Sequence, residues 1–110
     1  MLRLFVKFIT TGLFLIMANT TLALAQDIWI DVRTADEFNA GHLEDAIHIP
    51  YEEIAARISE ITTDKDATIR LYCRSGNRSG IAQQTLQSIG FTKVTNEGGY
   101  EDLLRKQARQ

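Results

Sequence analysis

Residues 68–80 read Thr68-Ile69-Arg70-Leu71-Tyr72-Cys73-Arg74-Ser75-Gly76-Asn77-Arg78-Ser79-Gly80, and Ile81, Ala82, Leu86 and Ile89 follow at helical spacing. The first five residues are β-prone and alternate in polarity, as a strand does. The eight from Cys73 to Gly80 are polar and contain two glycines and two arginines. A strand that passes through such a loop into a helix is the repeating unit of an α/β fold. The loop opens at the carboxyl end of a strand, where ligands bind in open parallel sheets. It closes at a helix N-terminus, where unpaired N–H groups and the helix dipole favour an anion.

The rest of the chain extends this unit in both directions. Ile28 to Val32 is a short run that is apolar on both faces, which suits a buried parallel strand. Thr34 with Glu37 three residues on forms a capping box, and Gly41 stops the brief helix that it opens. Ala46 to Ile49 is a second strand, ended by Pro50. Tyr51 to Ile61 carries Ile54, Ala55, Ile58 and Ile61 at helical spacing. Gly90 suits the left-handed residue after the helix that follows Gly80, with Phe91 folding back onto that helix. Thr92 to Thr95 is a fourth strand, Gly98-Gly99 a loop, and Tyr100 to Lys106 a final helix. Trp29 is assigned to the core. The expectation is an α/β domain with a parallel sheet of about four strands, right-handed crossovers and helices on both faces.

A chain of 110 residues has room for one small domain. Its formal charge of -2 gives no electrostatic footprint for nucleic acid. One cysteine cannot close an internal disulfide, nor build a multi-cysteine metal site. Residues 1–25 read as a secretory signal. Arg3 and Lys7 are its positive region, Phe8 to Met17 its apolar stretch, and Ala23-Leu24-Ala25 its small-residue cleavage site before Gln26. Cleavage between Ala25 and Gln26 leaves residues 26–110 as a single domain, exported to the periplasm if the host has two membranes. No stable membrane insertion is expected after cleavage. An exported domain of this size usually carries disulfides. A lone thiol there points to chemistry at Cys73.

The loop offers that chemistry a setting. Small and polar residues let successive amides turn inward as an anion-binding nest, and a thiol at its floor is stabilised as the thiolate. Cys73 is therefore the candidate nucleophile, with a lowered pKa. Arg74 and Arg78 add charge and forked donors for an oxyanion. Ser75 and Ser79 can donate to the sulfur, while Gly76 and Asn77 complete the turn. The neighbours of Cys73 in the chain are not those of a core cysteine. In tyrosine-phosphatase-like enzymes the arginine stands six positions after the cysteine. Here that position is Ser79, and Arg78 comes one earlier, which gives a loop sized for one extra sulfur rather than a phosphate. Asp31 and Arg33 read as an ion pair bracing the carboxyl edge of the sheet. His42 and His48 have no third ligand at a suitable spacing and take structural roles. No metal or organic cofactor is expected.

Four segments together resemble the rhodanese (thiosulfate sulfurtransferase) family, in its small exported single-domain form of the bacterial phage-shock type. Asp31-Val32-Arg33 resembles the family's Asp-x-Arg. Gly41-His42-Leu43-Glu44-Asp45-Ala46-Ile47-His48-Ile49-Pro50 resembles its Gly-His-Ile-x-Gly-Ala-x-Asn-Ile-Pro segment, with Asp45 in place of a glycine. Cys73 to Ser79 resembles its active loop, and Gly98-Gly99-Tyr100 its Gly-Gly-aromatic element, where tryptophan is frequent. The resemblance implies a rhodanese-like fold and a double displacement. The Cys73 thiolate takes the outer sulfur of thiosulfate or a similar donor, and the persulfide passes it to a thiol or to cyanide. Arg74, Ser75, Gly76, Asn77, Arg78 and Ser79 would bind the donor. The alternatives are a non-catalytic persulfide carrier or binding module on the same fold and, disfavoured by loop length, a phosphatase or arsenate reductase.

Overall fold

The computed structural model describes residues 27–109. The expected signal and its cleavage site at Ala25-Gln26 lie outside them. Four strands, β1 (Ile28–Asp31), β2 (Ile47–His48), β3 (Thr68–Cys73) and β4 (Lys93–Gly99), form one sheet in the order β2-β1-β3-β4. All three pairings are parallel. The helices are α1 (Ala35–Ala40), α2 (Ile54–Arg57), α3 (Asn77–Ser88) and α4 (Tyr100–Ala108). Strands alternate with helical segments as the sequence predicts. Among the described residues no helix is long and apolar enough to cross a membrane.

Strand alternation sorts the core into two layers. Ile30, Ile69, Leu71, Cys73 and Val94 pack with Ile54 and Ile58 around α2, with Ala82 and Leu86 of α3, and with Phe91. Tyr72 packs with Leu43 and with Leu103 of α4 in the smaller layer. Each fully buried aliphatic side chain contributes about 1.5–3 kcal/mol. Phe91 enters through a Schellman turn: its N–H bonds Leu86 O at 3.1 Å and that of Gly90 bonds Gln87 O at 3.1 Å.

Several elements depart from the expectation. Tyr51 to Ile61 is not one helix but a single α-turn, α2, between 3-10 turns at Tyr51–Glu53 and Ile58–Glu60. Two buried anchors one turn apart, Ile54 and Ile58, hold the segment, while Ala55 is exposed. Its ends tighten to satisfy their own carbonyls. Ile81 and Ile89 are 44% and 39% exposed rather than packed beneath α3. The sheet-facing stripe of that helix is Ser79, Ala82 and Leu86. Ser79 is bonded to groups of both β3 and β4, so polar contacts set the rotation of α3. Trp29 is only half-buried, against the smaller layer. β4 runs on to Gly99, and α4 extends two residues beyond Lys106.

Asp45 has φ +71°, in the left-handed region, at the position where the motif quoted above carries glycine. Aspartate tolerates this conformation better than most residues, but a β-branched side chain does not. Asp45→Val is expected to lower stability by about 1–2 kcal/mol, and Asp45→Gly to be tolerated. Urea midpoints of the two variants against the wild type check this.

Candidate active site

The loop after β3 is drawn tight around one atom. Cys73 ends the strand, on the face it shares with Ile69 and Leu71, and is only 1% exposed. This corrects the expectation that its polar neighbours keep it out of the core. The strand carries the cysteine's carbon framework into the apolar layer, and the loop closes over the sulfur. Gly76, at φ +101°, turns its N–H back to donate to Sγ at 3.0 Å. A residue with a Cβ would resist that dihedral. Gly99 supplies the matching close approach: a Cβ there would lie 2.5 Å from Arg74 O. Ser79 Oγ stands 3.5 Å from Sγ.

Two effects oppose each other at the thiol. Burial pushes its pKa up, because a charge leaves water. The Ser79 hydroxyl and the backbone amides of Ser79, Ser75 and Gly76 push it down, and the donors win. The net direction is below the ordinary thiol value. Ser75 contributes through its backbone, and Asn77 opens α3 as an exposed residue.

Arg78 is not an unengaged fork. Its Nη1 and Nη2 donate to Glu37 Oε1 and Oε2 at 2.7 and 3.0 Å. Glu37 performs a second task at once: it closes the α1 capping box, accepting the Thr34 N–H at 3.0 Å while its own N–H donates to Thr34 Oγ1 at 3.2 Å. The sequence signal for Glu37 is fully used by the cap, so its bridge to a loop 41 residues away could not be read. Arg74 is exposed and lines a groove of about 380 Å³ with Arg33, Glu37, Gly41 and Tyr100. Cys73 is not on the wall of that groove.

Asp31 and Arg33 form the expected pair, buried at 0% and 5% exposure. Arg33 Nη2 donates to Asp31 Oδ2 at 2.6 Å and to Gly41 O at 2.7 Å, tying the carboxyl edge of β1 to the end of α1. His48 Nε2 lies 2.8 Å from Arg33 O, and His42 stacks on Phe38, so both histidines serve the framework. Asn96 of β4 was not singled out by sequence. It meets the loop at Gly76 O and Ser79 Oγ, and no local pattern announces a contact made only by the fold.

With this geometry in place, the comparisons decide the family. The rhodanese-like domain model matches residues 17–106. The chain belongs to the rhodanese-like family. The match begins inside the stretch expected to be a signal. Thiosulfate sulfurtransferase PspE of Escherichia coli is 39% identical to this rhodanese-like chain over 79 residues, 72% of this chain and 76% of that protein. A sulfurtransferase of Allochromatium vinosum is 40% identical over 79 residues, 71% of this chain and 72% of that one. Among solved structures, a rhodanese with anions from E. coli matches with a TM-score of 0.68 at 39% identity, covering 70% of this chain and 91% of its own.

The Glu37–Arg78 bridge sets a pH dependence. The forked guanidinium of Arg78, more than any other contact, holds the Glu37 carboxyl at about 2, below its ordinary 4.5. A carboxyl lowered in the folded state stabilises above its unfolded value, and that stabilisation is lost as pH falls through the folded one. Glu37→Gln keeps a capping-box residue but removes the charge. It is expected to cost about 1 kcal/mol at neutral pH. The difference from wild type should disappear between pH 4.5 and about 2. Urea unfolding across that range measures it.

Proposed function

We propose that this protein is a sulfurtransferase that moves the outer sulfur of thiosulfate, or a similar donor, to a thiophilic acceptor through a persulfide on Cys73. The observation that carries this reading is the Gly76 N–H aimed at Sγ from 3.0 Å, at the floor of a loop whose donors outweigh the cost of burial. Donors that reach the cysteine sulfur itself suit a small sulfur anion. A phosphate would need the amides to face a tetrahedral group above it. The relative named for thiosulfate sulfur transfer supports the same choice of donor.

The chemistry balances in two steps. The Cys73 thiolate attacks the outer sulfur of thiosulfate. A new S–S bond forms at Cys73, the donor's own S–S bond breaks, and sulfite leaves with its electron pair. The terminal sulfur of the persulfide then carries the negative charge, which fixed amides stabilise without reorganisation. A thiol, or cyanide in an assay, attacks that sulfur; with cyanide the products are thiocyanate and the regenerated thiolate. Arg74, an exposed residue of the loop, is assigned to draw in the anionic donor. Arg78, held by Glu37, keeps the loop in place, with Ser75, Gly76, Asn77 and Ser79 forming its wall. Asp31 and Arg33 brace the sheet edge that supports it. No metal or organic cofactor enters this scheme. Residues 1–25 are read as a signal removed before Gln26, which places residues 26–110 outside the cytoplasm, in the periplasm of a two-membrane host.

Intact mass tests the intermediate. Thiosulfate treatment should add one sulfur, about 32 Da, and cyanide should remove it. Cys73→Ala should fold, gain no mass and form no thiocyanate. A Cys73→Ala protein that keeps most of the activity overturns the reading. Steady-state turnover separates an enzyme from a carrier, which loads once and turns over poorly.

A further inference from the structure

Asn96 lies in β4, beside the loop, and its carboxamide meets two groups of that loop and one of its own strand. Nδ2 donates to Gly76 O at 2.8 Å. Oδ1 accepts from the Gly98 N–H at 3.0 Å and stands 2.7 Å from Ser79 Oγ. The orientation of this amide is forced. A carbonyl only accepts and a backbone N–H only donates, so the amino group must face Gly76 and the oxygen must face Gly98. It follows that Ser79 donates its single proton to Asn96. The same hydroxyl oxygen is 3.5 Å from Cys73 Sγ, so one proton serves two acceptors. A neutral thiol is a weak acceptor, and the shorter contact holds the proton. An ionised sulfur is a stronger acceptor, and the hydroxyl can turn to it by rotating its O–H bond alone.

We propose that Asn96 is a positioning residue for the sulfur chemistry at Cys73: it clamps Gly76 so that the N–H of that residue stays aimed at the sulfur, and it parks the Ser79 proton until the sulfur carries charge. The proposal rests on the reading of Cys73 as the sulfur-bearing nucleophile. The packing around the amide agrees with a set position. A Cβ on Gly80, in the first turn of α3, would lie 3.3 Å from Asn96 Nδ2, and one on Gly76 would lie 3.9 Å from both amide heteroatoms. Asn96 is itself exposed, so helix and loop bound the carboxamide on one side and the hydrogen bonds fix it there.

Two variants test it, with the rate of Cys73 alkylation by iodoacetamide as a function of pH for readout. The charged side chains of the loop, Arg74 and Arg78, and Glu37 facing Arg78 from α1, are unchanged in both. In Asn96→Asp an ionised carboxylate cannot donate to Gly76 O, and it places a negative charge within about 6 Å of Sγ. The midpoint of the profile should rise by about one unit, slowing alkylation about tenfold at neutral pH. The shift should shrink in about 1 M salt, which a merely loosened fold would not produce. A profile that superimposes on the wild type overturns the proposal. Should that variant fail to fold, Gly80→Ala decides. Alanine is the better helix former, and its methyl group pushes against Nδ2. Alkylation at neutral pH should slow by about threefold or more with the fold retained; an unchanged rate overturns the proposal. Neither readout requires sulfur transfer. A wild-type protein that gains no mass from thiosulfate while the Asn96→Asp shift persists would remove the proposed function and leave the placement of Asn96 standing.

Discussion

A sulfur atom almost without solvent contact can hold negative charge only if donors replace the water it has lost. At Cys73 those donors are mostly backbone, and their placement depends on a tight turn between β3 and α3. Gly76 must adopt a left-handed dihedral to bring its N–H onto the sulfur. Gly99 must lack a side chain so that β4 can end against the carbonyl of Arg74. The sheet departs from regular register between Leu71 and Cys73, and Cys73 pairs with Gly99 there. Local backbone geometry and sheet topology thus serve the same atom.

The remaining structure can be understood as support for that turn. Arg33, nearly buried with Asp31, ties the end of β1 to Gly41. Glu37 then connects the first turn of α1 to Arg78 of the loop. Charge is therefore matched in pairs beneath and beside the loop, while Arg74 remains exposed at its rim. A buried ion pair is a weak source of stability, but removing one partner is costly because the other charge is left uncompensated. The arrangement favours a fixed loop geometry over extra stability, which suits a site that works by preorganised dipoles.

Much of this was legible in the chain because the signals were local. A run apolar on both faces marked β1, alternation marked β3, the capping box marked α1, and the spacing from Cys73 to Arg78 marked the loop. The misses have physical causes too. A helical pattern over Tyr51 to Ile61 could not reveal that only Ile54 and Ile58 anchor it, leaving one α-turn between 3-10 turns. Ile81 and Ile89 looked like core, but Ser79 ties α3 to Cys73 of β3 and Asn96 of β4 and turns them outward. Glu37 and Asn96 reach the loop from α1 and β4, and such contacts exist only once the sheet has assembled. Asp45 shows the converse: a departure from a motif, visible in sequence, that proved to be a left-handed residue carried without glycine.

The site works only if amides and hydroxyl together overcome the burial of the sulfur. The direct measurement is an ultraviolet thiolate titration of Cys73, the single cysteine of the chain, in the folded wild-type protein. The midpoint is expected below the ordinary thiol value of about 8.5. A midpoint at or above that value would show that desolvation prevails and that the loop does not hold a sulfur anion.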